Sequence, residues 1–270
     1  MVKYYKRRMS VMKIAVTGKG GVGKTTLSSI LCYLFAAEGM KVIAVDADPD
    51  ANLASALGIS REEAEKIRPI ADMNELIEER TGAKPGSAGI YKLNPRVDDL
   101  PEGLGHKING ITLLIMGKSK AASSGCYCPE NVLLRRLLKH LVVERDEVVI
   151  VDMEAGIEHL TRGTAGSVDA FIVVVEPGQR SMQTAGVVRD MAKELGVKNV
   201  FVVANKVRGA EDLDFIKNGI GDIELAGHIS FNHDVMEADI KGASPYGFSP
   251  GTVDEVRRIK DAIVKTLHAG

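Results

Sequence analysis

The run Gly18-Lys19-Gly20-Gly21-Val22-Gly23-Lys24-Thr25-Thr26 constrains this chain more than any other feature. It follows the apolar stretch Lys13–Thr17 and opens a helical pattern over Lys24–Ala37 that stops at Gly39. In that strand–loop–helix context, G-x-x-x-x-G-K-T/S reads as a phosphate-binding loop. Glycines let the backbone wrap an anion with its N–H groups turned inward. The helix N-terminus adds positive partial charge. Lys24 is then expected to bridge the β- and γ-phosphates of a nucleotide, and the Thr25 hydroxyl to hold Mg2+. All nine residues from Gly18 to Thr26 count as nucleotide-binding.

The rest of the chain repeats the rhythm of apolar strand and helix. Lys41–Asp46, Glu147–Val151, Ala170–Val175, Val200–Ala204 and, more weakly, Leu225–Ile229 read as strands. They are nearly continuous hydrophobic runs, as in strands buried on both faces. The expected fold is therefore α/β: a P-loop NTPase with a mostly parallel twisted sheet and helices on both faces. Polar residues recur where each strand ends, the edge at which such sheets bind ligands. Residues 60–125 break the rhythm. Glu62–Lys66 and Met73–Glu79 look helical, Gly82–Gly110 reads as a long excursion, and Ile111–Met116 looks like a strand. The apolar spacing of Val256, Ile259, Ile263 and Leu267 predicts a surface helix over Val253–Leu267, packed on the sheet.

Composition narrows the partners. The 270 residues carry a formal net charge of −1, so no global field points to nucleic acid or an anionic membrane. No apolar run reaches the roughly 18 residues a spanning helix needs. Residues 1–11 read as a flexible basic extension without the apolar core of a secretory signal, ahead of one ATPase domain over residues 12–270. Three cysteines, Cys32, Cys126 and Cys128, are too few for a disulfide scaffold and suit a reducing, cytoplasmic setting. Cys32 lies in an apolar run and reads as core filler.

Two further segments carry oxygen ligands. Asp46-Ala47-Asp48-Pro49-Asp50-Ala51-Asn52 follows the second strand, and a carboxylate beside the γ-phosphate is what in-line attack by water requires. Asp152 ends the strand Val148–Val151 and is expected to bind the Mg2+ water shell. Ser124-Gly125-Cys126-Tyr127-Cys128-Pro129 is the most specific feature outside these. Pro129 suits the first position of a helix and pushes Cys128 toward extended backbone. Residues i and i+2 of extended chain point the same way, and a helix N-terminus favours thiolates. A closed thiolate site for zinc or nickel usually wants four sulfurs, which a two-fold dimer supplies from two chains. The other reading of the bare motif is a pair of ordinary thiols at a helix cap; a disulfide between them is geometrically cramped.

Lys19, early in K-G-G-x-G-K-T, makes the chain resemble the deviant Walker A ATPases, the superfamily of MinD, ParA and the nitrogenase iron protein. The resemblance implies that Lys19 reaches across a dimer to the partner's nucleotide, as an arginine finger does in trans. It implies catalytic roles for Lys19, Lys24 and Asp48, with Asp48 activating the water, and Mg2+ contacts for Thr25, Asn52 and Asp152. Asp152, Ala155 and Gly156 match switch II. Asn205 and Lys206 match the base-contacting position, and no aspartate follows at Val207-Arg208, which favours ATP over GTP. Together, G-K-G-G-V-G-K-T-T, D-A-D-P-D, C-Y-C-P-E-N, D-M-E-A-G-I-E-H-L-T-R-G-T-A, V-E-P and N-K-V-R resemble the CooC-type nickel-insertion ATPases from about Met12 to the C-terminus. That family implies ATP/ADP and Mg2+ as cofactors, a homodimer, and Ni2+ (or Zn2+) held at the interface by Cys126 and Cys128 of two subunits. It implies carbon monoxide dehydrogenase as client. A MinD/ParA-like positioning ATPase and an iron–sulfur carrier or reductase remain the alternatives.

Overall fold

A computed structural model describes residues 11–87, 90–117, 128–154 and 167–269. The extension up to residue 10, Cys126, and the switch II residues Ala155 and Gly156 lie outside them. The described chain forms one eight-stranded sheet in the order β3-β4-β2-β5-β1-β6-β7-β8. The strands are β1 (Lys13–Thr17), β2 (Val42–Asp46), β3 (His106–Ile108), β4 (Ile111–Ile115), β5 (Val148–Asp152), β6 (Ala170–Val175), β7 (Val200–Val207) and β8 (Glu224–Ser230). Every pairing is parallel except β3 on β4.

Strands β1, β2, β5 and β6 are buried on both faces, and the period of two sends alternate residues to different cores. Ile14, Val42, Ala44, Ile150 and Ile172 face one core; Ala15, Ile43, Val45, Val149 and Phe171 face the other. Helix α1 (Lys24–Ala37) fills the first, together with α11 (Pro250–Ala269), whose Val256, Ile259 and Ile263 are buried there as their spacing predicts. Cys32 is fully buried in the same core, and burial pushes its thiol pKa up. The second core is closed by α6 (Pro129–Val143) through Leu133, Leu137, Leu138 and Leu141. Each fully buried Leu, Ile or Phe contributes roughly 1.5–3 kcal/mol, which is what fastens the strand ends in place.

The remaining helices are short connectors and outer layers: α2 (Leu53–Ala56), α3 (Arg61–Ala64), α4 (Asn74–Thr81), α5 (Leu100–Leu104), α7 (Gln179–Glu194), α8 (Ala210–Gly219), α9 (His233–Ile240) and α10 (Pro245–Phe248). The Gly82–Gly110 stretch, expected as a plain excursion, contains α5 and the antiparallel edge strand β3. Its turn is Asn109-Gly110 with φ of 48° and 82°, the left-handed pair of a type I′ hairpin. Among the described residues no helix is long and apolar enough to cross a membrane.

Candidate functional site

Parallel pairing brings the polar strand ends together. Asp152 of β5 stands in register with Val16 of β1 on one side and Asp46 of β2 on the other. The loop from Gly18 to Gly23 therefore leaves β1 beside two buried carboxylates. Two glycines in it are obligatory. A side chain at Gly18 would put its Cβ 2.4 Å from the Val174 carbonyl oxygen. Gly23, at φ +96, opens α1, and a Cβ there would lie 2.1 Å from Asn205 Nδ2.

The first turns of α1 aim at the carboxylates. Thr25 Oγ1 donates to Asp152 Oδ2 at 2.7 Å and Ser28 Oγ to Asp152 Oδ1 at 3.2 Å. Burial pushes Asp152 up to about 6, against the pull of Thr25, Lys24 and Ser28. Lys24 is only 6% exposed; its ammonium lies 3.5 Å from Asp48 and 3.4 Å from the Lys19 carbonyl oxygen. A hydroxyl and a carboxylate, both hard oxygen donors beside a phosphate loop, fit Mg2+, which keeps most of its waters and takes few protein ligands. Ser28, one turn after Thr25, was not singled out by the sequence, although its i+3 spacing places it on the same helix face.

Asp46 organises the segment that carries Asp48. Its carboxylate accepts from Leu53 N at 2.9 Å and from Asp48 N at 3.3 Å. Burial, with Asp152 alongside, pushes Asp46 up to about 7, although the two N–H groups favour the charge. The sequence offered no reason to separate Asp46 from its neighbours. Asp48 in turn accepts from Asp50 N at 3.0 Å, and Asn52 donates to the Asp50 carbonyl at 2.6 Å at the exposed rim.

Above these groups opens a cleft of about 740 Å³, within the range of small-ligand sites. Its wall includes Gly20–Gly21, Gly23–Thr26, Asp48, Asn52, Glu176, Asn205, Lys206, Arg208 and Phe231. Asn205 and Lys206, expected at the base, line the cleft and also donate to the loop: Asn205 Nδ2 to the Val22 carbonyl at 2.7 Å and Lys206 Nζ to that of Gly21 at 2.7 Å. Arg208, 5.7 Å over the Phe231 ring, forms a further wall; it ends the N-K-V-R motif, to whose arginine no ligand role was assigned. Lys19 is half-buried and absent from this wall, and among the described residues its ammonium has no bonding partner.

Of the thiol pair, Cys128 caps α6 with φ −94° and ψ 155°, the extended geometry that Pro129 demands, and is 4% exposed. Cys126, its partner in the motif, lies outside the described residues. Among the described residues no group of three or more His, Cys, Asp or Glu is placed to hold a metal ion.

The sequence profile of the CobQ/CobB/MinD/ParA nucleotide binding domain matches residues 13–246. The chain is 46% identical over 256 residues to the carbon monoxide dehydrogenase accessory protein CooC of Rhodospirillum rubrum, covering 95% of this chain and 97% of that one. It is 46% identical over 258 residues to an ATP-binding protein of Methanocaldococcus jannaschii, covering 94% and 98%. The ParA family ATPase of Chlorobium tepidum superimposes with a TM-score of 0.68 at 17% identity, covering 94% and 98% of the two chains. MinD of Pyrococcus horikoshii, complexed with Mg-ADP, does so at 0.66 and 18%, covering 95% and 97%. At such identities these two show the shared fold alone. The chain belongs to the CobQ/CobB/MinD/ParA family of nucleotide-binding ATPases, and within it is similar to CooC along nearly its whole length.

Proposed function

We propose that residues 12–270 act as one ATP-hydrolysing unit, that two copies pair face to face around ATP, and that the pair carries Ni2+ (or Zn2+) on Cys126 and Cys128 of both chains to carbon monoxide dehydrogenase. The observation that carries the hydrolytic part is the convergence of Lys24, Thr25, Asp48 and Asp152 on neighbouring strand ends beneath one cleft. The metal-delivery part is supported by the 46% identity to CooC, a carbon monoxide dehydrogenase accessory protein.

The residues divide the work as follows. The amides of Gly18–Thr26 and the N-terminus of α1 receive the phosphates. Lys24 leaves Asp48 for phosphate oxygens, which frees a carboxylate beside the γ-phosphate. Asp48 then orients the water and accepts its proton as the γ-phosphoryl group passes to it, leaving ADP and phosphate. Thr25 directly, and Asp152 and Asn52 through water, would hold Mg2+, which would supply positive charge beside the phosphate oxygens. Lys19, whose ammonium has no bonding partner among the described residues, reaches the partner's nucleotide. Switch II, which by resemblance comprises Asp152, Ala155 and Gly156, senses the γ-phosphate; loss of that phosphate on hydrolysis loosens the pair and releases cargo. Cys128 stands at the start of α6, where the helix N-terminus favours a thiolate, and the chain works in a reducing cytoplasm.

Light scattering tests the pairing. With Mg2+ and a non-hydrolysable ATP analogue the wild type doubles in mass and Lys19→Ala does not. A wild type that stays single under saturating analogue contradicts the reading.

A further inference from the structure

The phosphate loop is held from behind by an irregular stretch of β7. The ladder between β7 and β8 shifts register between Ala204 and Val207. Lys206 lies in this bulge at φ +58, a left-handed conformation that lysine rarely adopts. A non-glycine residue stays in such a conformation only when its surroundings over-determine it. Here they do. Lys206 Nζ donates to the Gly21 carbonyl at 2.7 Å and to the Glu176 carboxylate at 2.9 Å. Beside it, Asn205 Nδ2 donates to the Val22 carbonyl at 2.7 Å. A loop that turns amides toward an anion turns carbonyls away from it. Two consecutive carbonyls of this loop are thus met by two consecutive residues of the bulge.

Glu176, the residue after β6, completes the arrangement. Its backbone N–H reaches Ser181 Oγ at 3.4 Å, and its carboxylate lines the cleft. A free carboxylate in a cleft for polyphosphate repels the ligand. This one is matched to a cation that itself sits on the loop.

We propose that Glu176 is a positioning residue of the phosphate cradle: its carboxylate fixes the Lys206 ammonium on the Gly21 carbonyl, and so keeps the loop's amides turned toward phosphate. The inference rests on the ATP-binding reading above and adds to it a residue that touches no phosphate. Lys206 and Glu176 are 41% and 34% exposed, so the pair adds little to global stability. Its effect shows in ligand affinity.

The test is equilibrium binding of Mg-ADP to the full chain, with melting of each protein in the absence of nucleotide. Wild type is compared with Glu176→Gln, Glu176→Ala, Lys206→Met and the double variant Glu176→Ala/Lys206→Met. Deleting a negative charge beside a polyanion, with no other consequence, tightens binding. The positioning role requires the opposite sign. Both Glu176 variants weaken ADP by about three- to tenfold, the double variant is no weaker than Lys206→Met, and the melting temperatures stay together. Unchanged or tighter binding in the Glu176 variants, or additive losses in the double variant, overturns the role. A wild type that fails to bind ADP defeats the ATPase reading itself, a result seen before any variant is compared.

Discussion

Lys24 and Asp48 face each other across the cleft floor, 3.5 Å apart and 6% and 15% exposed. One is the residue expected to hold phosphate, the other the residue expected to activate water. Each neutralises the other, which a nearly buried charge requires. Nucleotide has to separate them.

That relationship divides the effects of Asp48→Asn. Without the carboxylate, Lys24 has no partner to leave, so ATP affinity holds or rises. Hydrolysis loses its base and falls by about 10²–10⁴-fold. Fluorescent-nucleotide binding and single-turnover phosphate release separate the two. A parallel loss of both contradicts the assignment.

The Thr25–Asp152 bond of 2.7 Å sets a second expectation. Thr25→Val and Asp152→Asn each remove part of a hard-oxygen site, and Asp152→Asn also leaves the Thr25 and Ser28 hydroxyls facing an amide. The Mg2+ dependence of ADP affinity disappears in both, while affinity without the metal changes little. Calorimetric titration with and without Mg2+ checks this.

Asp46 makes the nucleotide-free protein sensitive to pH. Its folded value of about 7 stands above the 3.8 of a free aspartate, so between those values the native state holds a proton that the unfolded chain has released. Stability is then fully present at the acid end and falls as pH rises toward 7, by up to about 1.4 kcal/mol per pH unit for one proton. Asp152, at about 6, adds in the same direction over the lower part of that window. Urea midpoints between pH 5 and 7 show the decline, and Asp46→Asn flattens its upper part. A midpoint that rises across this range contradicts the account.

Gly23→Ala tests the fit of the loop against β7. The new Cβ would meet Asn205 Nδ2 at 2.1 Å on a backbone at φ +96. The expected cost is about 1–3 kcal/mol of stability, with ADP binding lost. Thermal melting and ADP titration of the variant read both, and near-wild-type affinity contradicts the geometry.

How far the sequence spoke for itself depended on what each feature is made of. The parallel strands were legible because burial on both faces writes an apolar run, as in Val42–Asp46 and Ala170–Val175. Cys128 was legible because Pro129 restricts the residue before it. The hairpin of β3 was not, since two half-buried residues around an exposed lysine are too short a run to show apolar alternation; the Asn109-Gly110 pair was its one signal. Asp46 was hidden because its weight comes from standing beside Asp152, and strand order is written in no local stretch. Lys206 was legible as a site residue, but its hold on the loop was hidden because a left-handed lysine is chosen by its contacts, and residue type alone argues against it.

The central claim is that two copies close around nucleotide and share one metal ion through paired thiols. Titrating Ni2+ into the wild type and into Cys126→Ser/Cys128→Ser, with and without a non-hydrolysable ATP analogue, tests it most directly. The account predicts one ion per two chains in the nucleotide-bound wild type and none in the double variant. One ion per chain, or undiminished binding without the sulfurs, contradicts it.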